Sequence, residues 1–79
     1  MTINIYSLKE ILFKGSGESV NVKSAEGELT ILKNHIPLIC GLEKGNLKII
    51  DNNGKTHIIP ISSGFLEVNP KEINILCQQ

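Results

Sequence analysis

Apolar residues recur at every second position along most of the chain: Ile3 and Ile5 flank Asn4, Val20 and Val22 flank Asn21, and Leu29 and Ile31 follow Gly27. A period of two belongs to a strand with one dry face and one wet face. The isoleucine-rich runs are short and punctuated by glycine, asparagine and proline, which favours strands over helices throughout. Helical periodicity competes only over Leu8–Phe13, where Gly15 and Gly17 predict a short strand and a turn instead. Lys33-Asn34-His35-Ile36-Pro37 predicts a loop, since proline lacks a donor and drives Ile36 toward an extended conformation. Leu38–Leu42 and the segment through Leu47, Ile49 and Ile50 follow as strands. Asp51-Asn52-Asn53-Gly54 is the clearest hairpin signal. Thr56–Ser62 returns, with Pro60 fitting only an edge or a bulge. Ser63-Gly64 predicts a sharp bend, Phe65–Val68 continues the sheet, Asn69-Pro70 turns, and Ile73–Cys77 closes the chain.

The pattern describes an all-β fold, a small β-sandwich of about eight to ten short, mainly antiparallel strands. The alternation assigns Ile5, Val22, Leu29, Ile31, Leu38, Cys40, Phe65 and Ile75 to its core. With 79 residues there is length for a single domain, 1–79, and for only one core.

Charge adds mostly exclusions. Eight lysines balance eight acidic residues, so nothing draws the chain to nucleic acid or an anionic membrane. The absence of arginine removes the planar fork that grips phosphates and carboxylates in pairs. One tyrosine and two phenylalanines are too few for a base-stacking platform. No run approaches the roughly 18 apolar residues of a membrane span, and the first residues already alternate like a strand. The expectation is a soluble, cytoplasmic chain without direct membrane insertion.

Candidate chemistry is sparse. Cys40 and Cys77 lie in apolar runs without the close spacing of a zinc or redox motif and read as small buried hydrophobes, with a single disulfide between them left open. His35 and Cys40 stand five residues apart, but Cys40 shares the parity of Leu38 and Leu42 and should point inward. His57 reads as an exposed strand histidine. Neither histidine has a companion at metal-ligand spacing, so no metal and no cofactor are expected. Glu26 and Glu28 have period-two spacing around Gly27 and could serve general acid–base chemistry, although a solvated loop or a subunit contact accounts for them as well. A ligand-binding module or hydrolase built on His35, Cys40 and Glu28 is the competing function class.

The segment from Ala25 reads Ala-Glu-Gly-Glu-Leu-Thr-Ile-Leu-Lys-Asn-His-Ile-Pro-Leu-Ile. It resembles the hallmark of the epsilon subunit of F-type ATP synthase, close to E-G-E-x-G-I-x-P-G-H-A-P-L, with Glu26, Gly27, Glu28, Leu29, Ile31, His35, Pro37 and Leu38 in matching order and spacing. A second block, Ser62-Ser63-Gly64-Phe65-Leu66-Glu67-Val68, is similar to the family's S-G-G-F-L-E-V, and Ile73-Asn74-Ile75-Leu76 stands where the family has V-T-V-L. Thr30 and Ser63 replace glycines, and Lys33-Asn34 replaces Pro-Gly, which predicts a different loop shape before His35.

The resemblance implies a non-catalytic rotor subunit in the central stalk, with the gamma subunit and the c ring as partners and no small-molecule substrate. It implies a peripheral place at the cytoplasmic face of the bacterial plasma membrane, or an organellar equivalent. The partner-binding edge it points to is Glu26, Gly27, Glu28, Asn34 and His35. Family members commonly continue into a C-terminal helical hairpin that inhibits ATP hydrolysis and in some binds ATP. A chain ending at Gln79 is expected to do neither.

Overall fold

The computed structural model describes residues 1–79 and contains eight strands and no helix. They are β1 (Thr2–Ser7), β2 (Ile11–Ser24), β3 (Gly27–Leu32), β4 (Leu38–Leu42), β5 (Gly45–Asp51), β6 (Thr56–Ile61), β7 (Ser63–Val68) and β8 (Glu72–Gln78). The hydrogen-bonded path runs β1-β8-β7-β4-β2-β5-β6, with β3 also on β2 and β1 also on β2. All pairings are antiparallel except β1 with β8, which run parallel from Thr2↔Glu72 to Ser7↔Cys77.

The long strand β2 is what makes two layers. Its first half pairs with β1 from Ile11 to Ser16, and its second half pairs with β5 and β3 between Gly17 and Ser24. One sheet is therefore the start of β2 with β1, β8, β7 and β4, and the other is β3, the end of β2, β5 and β6. A register shift between Gly17 and Ser19 marks the crossover, as expected where a strand changes sheets. Gly17 is required there, because a β-carbon on it would lie 2.5 Å from Ile3 Cδ1 and 3.0 Å from the Ile50 carbonyl oxygen. Its N–H donates to the Met1 carbonyl at 2.9 Å. The turn expected at Gly15 and Gly17 is thus absent: both glycines lie inside β2, and the turn sits at Leu8-Lys9, where the Ser7 hydroxyl accepts from the Lys9 and Glu10 amides at 3.2 and 3.1 Å.

Side chains from both layers fill one core. Ile3, Ile5, Leu66, Val68, Ile73, Ile75, Cys77 and Leu42 come from the first sheet, and Val20, Val22, Ile31, Leu47, Ile49 and Ile61 from the second. Of the expected core, Ile5, Val22, Ile31 and Ile75 are buried, while Leu29, Leu38 and Cys40 are partly buried and pack against its margin. Phe65 is a correction: it points out of the sandwich and is 54% exposed. Leu66 and Val68 hold the inward phase of β7, so Phe65 shares the outer face with Glu67. The bend expected at Ser63-Gly64 falls at Ser62, with both residues inside β7. Pro60 does lie on an edge, since β6 pairs only with β5.

Cys40 and Cys77 are free thiols. Cys40 faces Leu66, Leu66 faces Ile75, and Cys77 lies two residues further along β8. Two strand spacings separate them, about 9–10 Å before that offset, well beyond disulfide reach.

Candidate functional site

The expected partner-binding residues occupy two neighbouring turns. β2 and β3 form a hairpin whose turn residues are Ala25 and Glu26, with Ser24 opposite Gly27. The Ser24 hydroxyl ties the turn, donating to the Gly27 carbonyl at 2.9 Å and accepting from the Glu26 amide at 3.3 Å. Gly27 has φ +124°, a conformation that strains any L side chain. Glu28 follows on the outer face of β3, opposite Lys23 of β2, and is exposed.

The second turn is Leu32-Lys33-Asn34-His35, closed by the His35 amide donating to the Leu32 carbonyl at 3.1 Å. Asn34 has φ +67°, the positive value that a type II turn demands at its third residue. Asparagine tolerates that region better than other side chains. Lys33-Asn34 therefore builds the kind of turn that Pro-Gly favours, although its sequence predicts a different loop. The His35 ring is partly buried, and its Nδ1 donates to the Ile36 carbonyl at 2.7 Å.

Glu26, Gly27, Glu28 and His35 come together along one groove of about 730 Å³ between β3 and β4. Asn34 stands outside it and shapes the turn that leads to His35. Cys40 also lines the groove, which brings the three residues of the competing hydrolase reading to one place. Their chemistry does not follow. Burial, and secondarily the Glu26 charge, raises the Cys40 thiol above its usual range, which disfavours the thiolate a nucleophile needs. The bonded His35 nitrogen holds a carbonyl rather than the sulfur.

Two features escaped the sequence reading. His57 is not a free strand histidine: its Nε2 donates to Asp51 Oδ2 at 2.9 Å, and its ring meets Phe13 edge-on with centroids 5.1 Å apart. Asp51 Oδ1 accepts from the Asn53 and Lys55 amides, both at 2.9 Å, so one carboxylate organises the whole β5–β6 hairpin. The His57 hydrogen bond, then the Lys55 amide, hold its carboxyl below the ordinary range. His57 shares the parity of Ile59 and Ile61, and that signal was in the sequence.

The other feature is an apolar stripe on the outer face of the first sheet. Register places Gly41, Phe65, Leu76, Tyr6 and Ile11 in one row across β4, β7, β8, β1 and β2. Phe65, Leu76 and Ile11 are each more than half exposed, and the partly buried Tyr6 stands between Leu76 and Ile11 in the row. The next row is polar: Asn4 Nδ2 donates to Asn74 Oδ1 at 3.0 Å, and Asn74 Nδ2 to Glu67 Oε1 at 3.0 Å. No helix is long and apolar enough to cross a membrane.

The family described as "ATP synthase, Delta/Epsilon chain, beta-sandwich domain" matches residues 1–79. Among curated proteins, the ATP synthase epsilon chains of two strains of Acinetobacter baumannii are 37% and 36% identical over 76 residues, 96% of this chain and 55% of theirs. The chain thus spans about half the length of these relatives. A chain from the Euglena gracilis mitochondrial ATP synthase, solved as OSCP/F1/c-ring in rotational state 1, superposes with a TM-score of 0.90 at 24% identity, covering 98% of this chain and 49% of that one. One from the Tetrahymena thermophila mitochondrial ATP synthase central stalk/c-ring gives 0.84 at 16%, covering 100% and 63%. These likenesses give the fold, and the matches along the sequence give the kinship: the chain belongs to the family of the ATP synthase delta/epsilon β-sandwich.

Proposed function

We propose that the chain is a non-catalytic central-stalk subunit of an F-type ATP synthase, joining the gamma subunit to the c ring during proton-driven ATP synthesis. The observation that carries this reading is the family match along the whole of residues 1–79. The relatives are epsilon chains, stalk components rather than catalytic ones. Its place is peripheral, at the cytoplasmic face of a bacterial plasma membrane or the organellar equivalent.

The physics of the molecule suits that role. A part that transmits torque must not deform, and a close-packed two-layer core resists deformation. Such a part also needs two separate contact surfaces. The stripe of Phe65, Leu76 and Ile11 is apolar enough for a long-lived contact and is assigned to gamma. The turn edge of Glu26, Gly27, Glu28, Asn34 and His35 is polar and wet, suited to ring loops that pass close to water. The test is the double variant Glu28→Lys, His35→Glu in an enzyme reconstituted from a matching source. Incorporation into the stalk, proton-coupled ATP synthesis and thermal unfolding are followed together. Coupling should fall while unfolding shifts by no more than about 1.5 kcal/mol, since the exposed Glu28 charge moves stability by about 0.5 kcal/mol and His35 gives up one hydrogen bond to the Ile36 carbonyl. Normal coupling at normal incorporation rejects the edge as the ring-facing site.

A further inference from the structure

The two sheets part along one seam. β3 pairs only with β2, and β4 pairs with β7 apart from a single bridge between Leu42 and Ser24. The strands are consecutive in the chain but are not hydrogen-bonded to each other. Each therefore carries a free edge along which alternate N–H and C=O groups lack a ladder partner. Proteins normally guard such edges with lysine, proline or a covering element. β6, a further edge, contains Pro60. β4 has no such guard: Leu38-Ile39-Cys40-Gly41-Leu42 is free of charge and of proline.

The groove beside this edge is shaped for a chain. It is closed at one end by the Ser24–Leu42 bridge and bounded at the other by His35 and Ile36. Half of its lining is apolar, and its charged lining consists of Glu26, Glu28 and Glu43 with no lysine. Ile36 and Ile39 stand at it 75% and 64% exposed. Glu26 lies near enough to Cys40, across the groove lining, to add to burial in raising its thiol.

We propose that this seam takes an extended polypeptide segment of a partner, added as a strand on the free edge of β4 and carrying basic side chains that meet Glu26, Glu28 and Glu43. Main-chain hydrogen bonds to β4 supply the affinity. Alternate side chains enter the apolar groove or face its acidic rim and supply the selectivity. At about 3.4 Å per residue, the edge of β4 accommodates roughly five residues of such a strand. The inference goes beyond the stalk assignment; it shares Glu26 and Glu28 with the proposed ring-facing edge and is read on the chain alone, so its failure leaves the stalk assignment standing.

Amide hydrogen exchange of the isotope-labelled chain tests it, with a short synthetic peptide alternating lysine and valine as the probe. The peptide should slow exchange of alternate amides in Leu38–Leu42 by about tenfold or more at saturation. A glutamate–valine peptide, and the lysine–valine peptide N-methylated at alternate backbone positions, should leave them unchanged. Glu26→Gln with Glu28→Gln should weaken binding about fivefold to tenfold and flatten its salt dependence. Both residues are exposed, so the fold is retained. No slowing at millimolar peptide overturns the proposal, as does slowing on β6 or equal slowing by the acidic peptide. Slowing that grows with protein concentration alone assigns the edge to a second copy and overturns it too. None of these outcomes bears on incorporation into the stalk, which is read in the reconstituted enzyme.

Discussion

Phe65 and Leu66 are neighbours of similar hydrophobicity with opposite tasks. Leu66 is fully buried and Phe65 lies on the outer stripe. Leu66→Ala should cost about 2–5 kcal/mol, whereas Phe65→Ala should stay within about 1 kcal/mol, measured by urea unfolding. Gly17→Ala provides the reverse case, a methyl group added where Ile3 and the Ile50 carbonyl leave no room. A loss of about 1–3 kcal/mol is expected. Asp51 links this scale to pH. Its carboxyl is held below 3.8 in the fold, by the His57 hydrogen bond first, so ionised Asp51 favours the folded state. That contribution is complete above the unfolded value and disappears as pH falls through the folded one, below 3.8. Asp51→Asn retains an oxygen for the Asn53 and Lys55 amides but loses the charge. Its melting temperature should therefore fall less steeply than the parent's in that acid range. Parallel curves would mean that the His57 pair contributes nothing.

At the scale of elements, most strands were legible because isoleucine and valine at period two leave few alternatives. The hairpin at Asp51–Gly54 was legible from its turn residues, although only Gly54, and not Asn53, takes positive φ. Several features were not read correctly, and the reasons are physical. Gly15 and Gly17 resemble a turn, yet here they serve a strand that must cross between sheets under close packing. Phe65 resembles a core residue because its size suggests burial; the polar Ser63 and Glu67, two residues to either side, mark its face as outer. The groove was not legible at all, since it lies between two edges whose separation is a property of the whole topology. Its residues were legible one by one, as candidate chemistry and through the family resemblance, but not as a groove. The turn before His35 gives a prediction at this scale. Leu32 is already extended in β3, as a residue before proline must be. Asn34 already has the positive φ that glycine adopts freely. Lys33→Pro with Asn34→Gly should therefore raise stability by about 0.5–1.5 kcal/mol, chiefly by restricting the unfolded chain at the proline and relieving strain at Asn34. A fall in the melting temperature would show that the turn is not of type II.

For the molecule as a whole, the sandwich leaves an apolar stripe outside while closing its core inside. Replacing Phe65 by Ser and Leu76 by Thr should reduce binding of a hydrophobic dye to the isolated chain and lower its incorporation into the stalk, with unfolding little changed. Unaltered incorporation would remove the stripe from the gamma interface.

The parallel pairing of β1 with β8 joins the two ends of the chain, the first strand lying beside the last in the same direction. A pull applied between the termini therefore draws the start of one strand away from the end of its neighbour. The load falls along the strands, and the hydrogen bonds between them share it together instead of opening one after another. The molecule should accordingly resist stretching between its ends far more than stretching between the middle of β5 and the middle of β6, where an antiparallel pair can be peeled apart. Single-molecule force spectroscopy along the two directions would measure the difference, and similar rupture forces would show that the β1–β8 seam is not what holds the body rigid.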